Sequence, residues 1–245
     1  MPGLLLDAFK THDLETWPGP DDDNIPEELH GTVKVVGYEK KSPLATSHLG
    51  KDLFRFLEDH LGDPTTDGSP HTTPPFYYPS DKPSGPDLVF VVEINSQKYP
   101  VFVQVKYRTD MNETKTVAAV KTTDLESVII KAKAESEEIK AIEESYMEEA
   151  DKEAAINNTK QEIERKLRDW CGSRKNISRD RHSSRKYISM MIVYPLEFDN
   201  SKIEDVTIEP NRVLIKVAKT NFARIFSQEH AVFLKNLKDS LRYKP

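Results

Sequence analysis

Two apolar, largely β-branched runs, 88–95 and 99–108, stand almost back to back, separated by Ser96-Gln97-Lys98. A linker that short joins antiparallel neighbours, so the pair reads as a β-hairpin. Both parities of each run carry Val, Ile, Leu or Phe. A strand with one wet face alternates apolar with polar residues, so these two belong to the covered centre of a sheet. A domain built on them needs further strands at its edges and a layer over each face.

The rest of the chain offers those parts. Residues 32–38, 76–78, 188–194, 206–208 and 212–217 read as strands, the last two around a turn at Asn211. Residues 46–61 read as an amphipathic helix, with Leu49, Leu53, Phe56, Leu57 and Leu61 at helical spacing and Thr46 or Ser47 as cap. Residues 114–170 read as mostly helical. Val117, Val120, Leu125, Val128, Ile129 and Ala132 mark the first part. An acidic stretch at 135–153 reads as a solvated face, and Asn157-Asn158-Thr159 as a break before a helix ending near Trp170. A last helix is expected over 228–242. The order predicts an α/β (α+β) domain: a central mixed sheet of about four to six strands flanked by helices. Its organisation is a loop-rich segment at 1–30 and one domain at 31–245 with a long acidic helical insertion at about 114–170.

Composition narrows the function classes. A single cysteine, Cys171, excludes an intrachain disulfide and a multi-cysteine zinc site. No run approaches the roughly 20 apolar residues of a membrane helix. Leu4–Leu6 is too short and lacks the basic flank of a signal peptide. The expectation is therefore an intracellular protein of nucleus or cytoplasm, or a segment of a longer chain, with no membrane partner. A net charge of −6 argues against a dedicated non-specific nucleic-acid binder, although local charge matters more than the sum.

One constellation carries chemistry. Asp87 follows Gly85-Pro86 at the mouth of the first central strand. Gln104 and Lys106 lie two apart on the second, so they share a face. A Gln and a Lys inside Val-Phe-Val-Gln-Val-Lys-Tyr are costly to bury without partners. A carboxylate and a hard divalent cation would compensate. Asp87 would give Mg²⁺ (or Mn²⁺) an anionic oxygen and Gln104 a neutral one. The ion would activate water, and Lys106 would orient that water or offset developing charge.

Pro86-Asp87, a hairpin, then Gln104-Val105-Lys106 resembles the PD-(D/E)XK nuclease superfamily, with Gln where an acid is usual. The Gln-X-Lys variant resembles that of Mrr-type restriction endonucleases. The resemblance implies a helix, three strands, a helix and a strand, and metal-dependent phosphodiester hydrolysis. It also implies an acid on the first helix, for which Glu58 is the candidate and Asp59 the second. Ser47-His48-Leu49-Gly50, the Gly85-Pro86-Asp87 block, 101–106 and 226–237 are similar to fungal proteins overlapping with Crinkler-like effectors. Their C-terminal regions can carry this nuclease fold.

Nucleic acid, DNA rather than RNA, is the implied partner. Arg108, Arg174, Lys175, Arg179, Arg181, Arg185 and Lys186 are the candidate phosphate contacts. Each candidate has a plainer alternative. Asp87 can be a turn residue, Lys106 a snorkelling strand-end lysine, Glu58 a surface acid and 174–186 a solvated loop. Glu93 shares the parity of Asp87 but reads as a surface glutamate. Loss of the acid at position 104 leaves a second possibility, a nuclease-fold module that binds nucleic acid or a protein without cutting. The acidic helix is a candidate protein-docking surface.

Overall fold

A computed structural model describes residues 2–3, 5–6, 29, 31–38, 43–47, 52–62, 73–107, 113–172, 186–194 and 206–217. At its centre is the expected hairpin, β4 (Leu88–Ile94) and β5 (Gln97–Tyr107), paired from Leu88↔Val103 to Ile94↔Gln97. The turn is tighter than the three-residue linker expected. It is Asn95-Ser96 alone, with φ of 51° and 64°. Two left-handed residues give the twist that matches antiparallel strands, and Asn tolerates that region better than most side chains. Pro100 lies within β5, but pairing to the next strand starts only at Val101. Its missing N–H therefore falls where β5 has no neighbour on that side among the described residues.

Partners flank both sides. β1 (Val33–Val35) and β3 (Phe76–Tyr78) share the outer edge of β4, both antiparallel, and β2 (Ala45–Ser47) runs parallel to β3. On the other side β6 (Tyr187–Tyr194) is parallel to β5, and β8 (Arg212–Val217) is parallel to β6. β7 (Val206–Glu209) closes that edge antiparallel to β8. The class is mixed α/β as expected, but among the described residues the sheet has 8 strands, more than the four to six anticipated. Short edge strands such as β1 and β2 carry too few residues for a clear period-two signal.

Each face is buried. On one side Leu88, Phe90, Val92, Val101, Val103, Ile188 and Met190 pack with Leu5, Leu6 and Leu29 from the N-terminal stretch. On the other Val89, Val91 and Phe102 meet the helices. These are α1 (Leu53–Leu61), α2 (Glu113–Lys121), α3 (Leu125–Glu135), α4 (Glu137–Glu143) and α5 (Glu149–Trp170).

Two helix boundaries differ from the sequence reading. Thr46 and Ser47 are strand, not cap. α1 starts at Leu53, where the buried Asp52 carboxylate accepts from Arg55 N at 2.7 Å. Its other oxygen accepts from Glu137 N at 3.0 Å, so one side chain satisfies the first turns of α1 and α4. Asn157-Asn158-Thr159 does not break a helix. α5 runs through it because Thr159, Ile163 and Leu167 are buried on one face, and packing overrides two weak helix formers. The break comes earlier, after Glu143, where Ser145 Oγ donates back to Ile142 O at 2.7 Å. The helix expected over 228–242 lies outside the described residues.

Candidate active site

Parity and register bring the three residues together. Odd positions of β4 and even positions of β5 face the helices, so Asp87, Gln104 and Lys106 project from that face. Asp87 N donates to Val103 O at 2.8 Å, which ties Asp87 to β5 just ahead of the first paired residue, Leu88, and within reach of the Gln104 side chain. Asp87 Oδ2 accepts from Gln104 Nε2 and, at 2.8 Å, from Val105 N. Oδ1 has no partner among the described residues, and the side chain opens to solvent. Desolvation pushes the Asp87 carboxyl above its ordinary value. The Val105 amide, Lys106 and Lys131 pull against that rise, and Asp81 adds to it.

Gln104 is 1% exposed. Its carboxamide is held from both ends: Nε2 faces Asp87, and Oε1 accepts from Thr122 Oγ1. Thr122 belongs to the turn between α2 and α3, and that turn is pinned across three strands. Thr122 meets Gln104 on β5, Thr123 O accepts from Ser189 Oγ on β6 at 3.2 Å, and Asp124 pairs with Arg212 on β8. Lys106 is half-buried two positions beyond Gln104 and acts on Asp87 through its charge.

Not every candidate joins this group. Glu58 Oε2 pairs with Arg55 at 2.5 Å and Oε1 with Lys166 of α5 at 2.6 Å. Burial raises its carboxyl, but Lys166 and Arg55 outweigh that and hold it low. Asp59 accepts from Thr73 Oγ1 at 2.7 Å. Glu93 sits opposite Lys98 and Lys34 near the hairpin turn, six positions from Asp87 and so about 20 Å along the strand. Lys186 is level with Tyr99 by the β5–β6 register. That puts it about 16 Å from Gln104 along the strand direction. Arg108, Arg174, Lys175, Arg179, Arg181 and Arg185 lie outside the described residues.

Two residues that sequence reasoning misses stand beside the site. Lys131 and Glu135 of α3 are 1% and 5% exposed. The acidic stretch predicts a solvated face for Glu135. Instead it accepts from Tyr77 Oη at 3.0 Å and from Ser80 N and Oγ, each at 2.5 Å. The signal is present in the spacing: Lys131 and Glu135 fall three and seven positions after Val128, on the apolar stripe itself.

No family model, curated protein or solved structure matches the chain. No helix among the described residues is long and apolar enough to cross a membrane. Among the same residues no group of three His, Cys, Asp or Glu side chains could hold a metal. The donors present are one exposed carboxylate and a carboxamide whose oxygen accepts from Thr122 while its NH₂ faces Asp87. A hard divalent cation that keeps most of its waters would take Asp87 as it stands and Gln104 only with its carboxamide turned over.

Proposed function

We propose that this chain is a metal-dependent nuclease of the PD-(D/E)XK type, hydrolysing phosphodiester bonds in DNA rather than RNA. The observation that carries the reading is the meeting of Asp87 and Gln104 side by side, with Lys106 on the same face and one Asp87 oxygen directed to solvent. Connectivity agrees with the fold that the resemblance implies: helix α1, three strands, helices, then a strand parallel to the third.

In this reading Asp87 would hold Mg²⁺ or Mn²⁺, joined by Gln104 once its carboxamide turns its oxygen from Thr122 toward the ion. The ion when bound supplies a water of lowered pKa and a Lewis acid for the phosphate. Asp87 contributes the fixed negative charge, and its Val105 hydrogen bond sets the direction of the second oxygen. Lys106 brings a positive charge to where the phosphate becomes more negative. The buried Gln104 is neutral, so the site asks the metal for less charge compensation than a two-acid site would.

A second reading rests on a different observation. Gln104 Oε1 is already occupied by Thr122 and its amide by Asp87. A carboxamide so held suits a module that binds nucleic acid or a protein partner, as an effector domain would, and does not cut. Calorimetric titration with Mg²⁺ and Mn²⁺ separates the two. Saturable binding that is lost in Asp87→Ala supports the nuclease. A protein that binds neither ion supports the module.

A further inference from the structure

The buried charges of α3 stand directly behind the segment that delivers Asp87. Lys131 Nζ donates to Ser80 O and, at 2.6 Å, to Pro83 O. Glu135 binds the same segment from its other end, through Ser80 N and Ser80 Oγ, and Lys131 Nζ lies 3.8 Å from Glu135 Oε1. Ser80 Oγ also stands 2.7 Å from Lys82 O, so its one proton is shared between that carbonyl and Glu135. Gly85 completes the fit. A Cβ there would stand 3.1 to 3.3 Å from the aliphatic stem of Lys131, so a side chain at this position would press on that stem. Two residues later comes Asp87.

An ion pair this deeply buried is a weak source of stability, because desolvation cancels much of the attraction. Its geometry serves a different purpose. Lys131 offers donors to carbonyls that have left the sheet, and Glu135 offers acceptors to the amide and hydroxyl at the start of the same turn.

We propose that Lys131 and Glu135 are positioning residues. They form a buried clamp on α3 that grips residues 80–85 and thereby sets where the Asp87 carboxylate stands against Gln104 and Lys106. The proposal rests on the nuclease reading for its functional meaning but not for its test. Neither residue touches substrate or metal in this account; both act through the loop.

The test uses the full chain and three variants. Lys131→Met removes the donors at similar length. Glu135→Gln keeps shape and removes charge. Gly85→Ala leaves both charges and presses a Cβ on the Lys131 stem, so that stem and the loop must part by a few tenths of an ångström. Two measurements need no activity: hydrogen exchange of the Ser80 amide, and the NMR signals of the Gln104 side-chain NH₂, which report its contact with Asp87. In Lys131→Met and Glu135→Gln, Ser80 exchange is expected to speed up about tenfold or more. The Gln104 signals should move while α5 amides stay in place. Gly85→Ala should shift Gln104 in the same direction, and it keeps the test alive if Lys131→Met does not fold.

On DNA, kcat is expected to fall by roughly 10²-fold with KM little changed, the mark of a misplaced group. Folded variants with wild-type Ser80 exchange and wild-type Gln104 signals overturn the clamp. A wild type that cuts nothing overturns the nuclease reading alone, and the clamp is then judged on Ser80 and Gln104.

Discussion

Replacing Gln104 by Glu sets a second acid beside Asp87, and the structure says what that does before any metal arrives. Gln104 Nε2 donates to Asp87 Oδ2, so the new carboxylate meets an existing one. The lost bond was charge-assisted, worth about 1.5–3 kcal/mol. Two carboxylates about 3.5 Å apart at an effective dielectric of about 20 repel by about 5 kcal/mol. Uptake of one proton caps the combined cost at about 4 kcal/mol near pH 7 and about 1 kcal/mol near pH 5, from an ordinary glutamate value. Thr122 still donates to the new oxygen, so nothing is lost on that side.

Urea denaturation in chelator should therefore show Gln104→Glu less stable by about 2–4 kcal/mol near pH 7, narrowing to about 1 kcal/mol near pH 5. The sign comes from linkage. The folded pair titrates above its unfolded value, so the folded state holds the extra proton. The deficit is largest above the folded value and shrinks as pH falls toward the unfolded one. Added Mg²⁺ should stabilise the variant more than the wild type, because it binds the folded pair. A variant as stable as wild type at both pH values would show that positions 87 and 104 are not neighbours. Equal stabilisation of both proteins by Mg²⁺ would show that the ion binds elsewhere.

The same contacts set other outcomes. Asp52→Ala removes a buried carboxylate serving two helix N-termini and should cost about 2–3 kcal/mol in urea denaturation. Glu58→Gln should cost at most about 1 kcal/mol, since its ion pairs are partly exposed. Its folded carboxyl is held low, so the wild-type advantage is present above the ordinary glutamate range and disappears as pH falls through the folded value. Mg²⁺ affinity should be unchanged in Glu58→Gln, and a loss of affinity would return Glu58 to the metal site. Cys171 is 1% exposed and burial pushes its thiol up. Iodoacetamide should label it only at the rate of unfolding, and rapid labelling of native protein would contradict that placement.

The covered hairpin and the consequences of its parity are legible in the sequence. Val89, Val91 and Phe102 select one face, and Asp87, Gln104 and Lys106 inherit it. Contacts between distant segments are not legible. Nothing near Thr122 shows that it will meet Gln104, because that contact exists only once α2 and α3 fold back across β5 and β6. The misplaced break at Asn157 has the same origin: local propensity favours an end, and the buried stripe of α5 overrides it. Lys131 and Glu135 are hidden by their neighbours. Glu135 opens an acidic stretch that reads as surface and Lys131 is a lone cation before it; Tyr77, their own pairing and the loop at 80–85 together make their burial tolerable.

The central claim is that Asp87, Gln104 and Lys106 form a metal site that cuts DNA. Its most direct measurement is cleavage of duplex, single-stranded and structured DNA by purified wild type, Asp87→Ala and Lys106→Ala, with Mg²⁺, with Mn²⁺ and with chelator. The expected result is cut DNA from wild type with either ion, none in chelator, and a loss of roughly 10²-fold or more in each variant. Folded, metal-replete wild type that leaves every substrate intact, or equal cutting by Asp87→Ala, would contradict it.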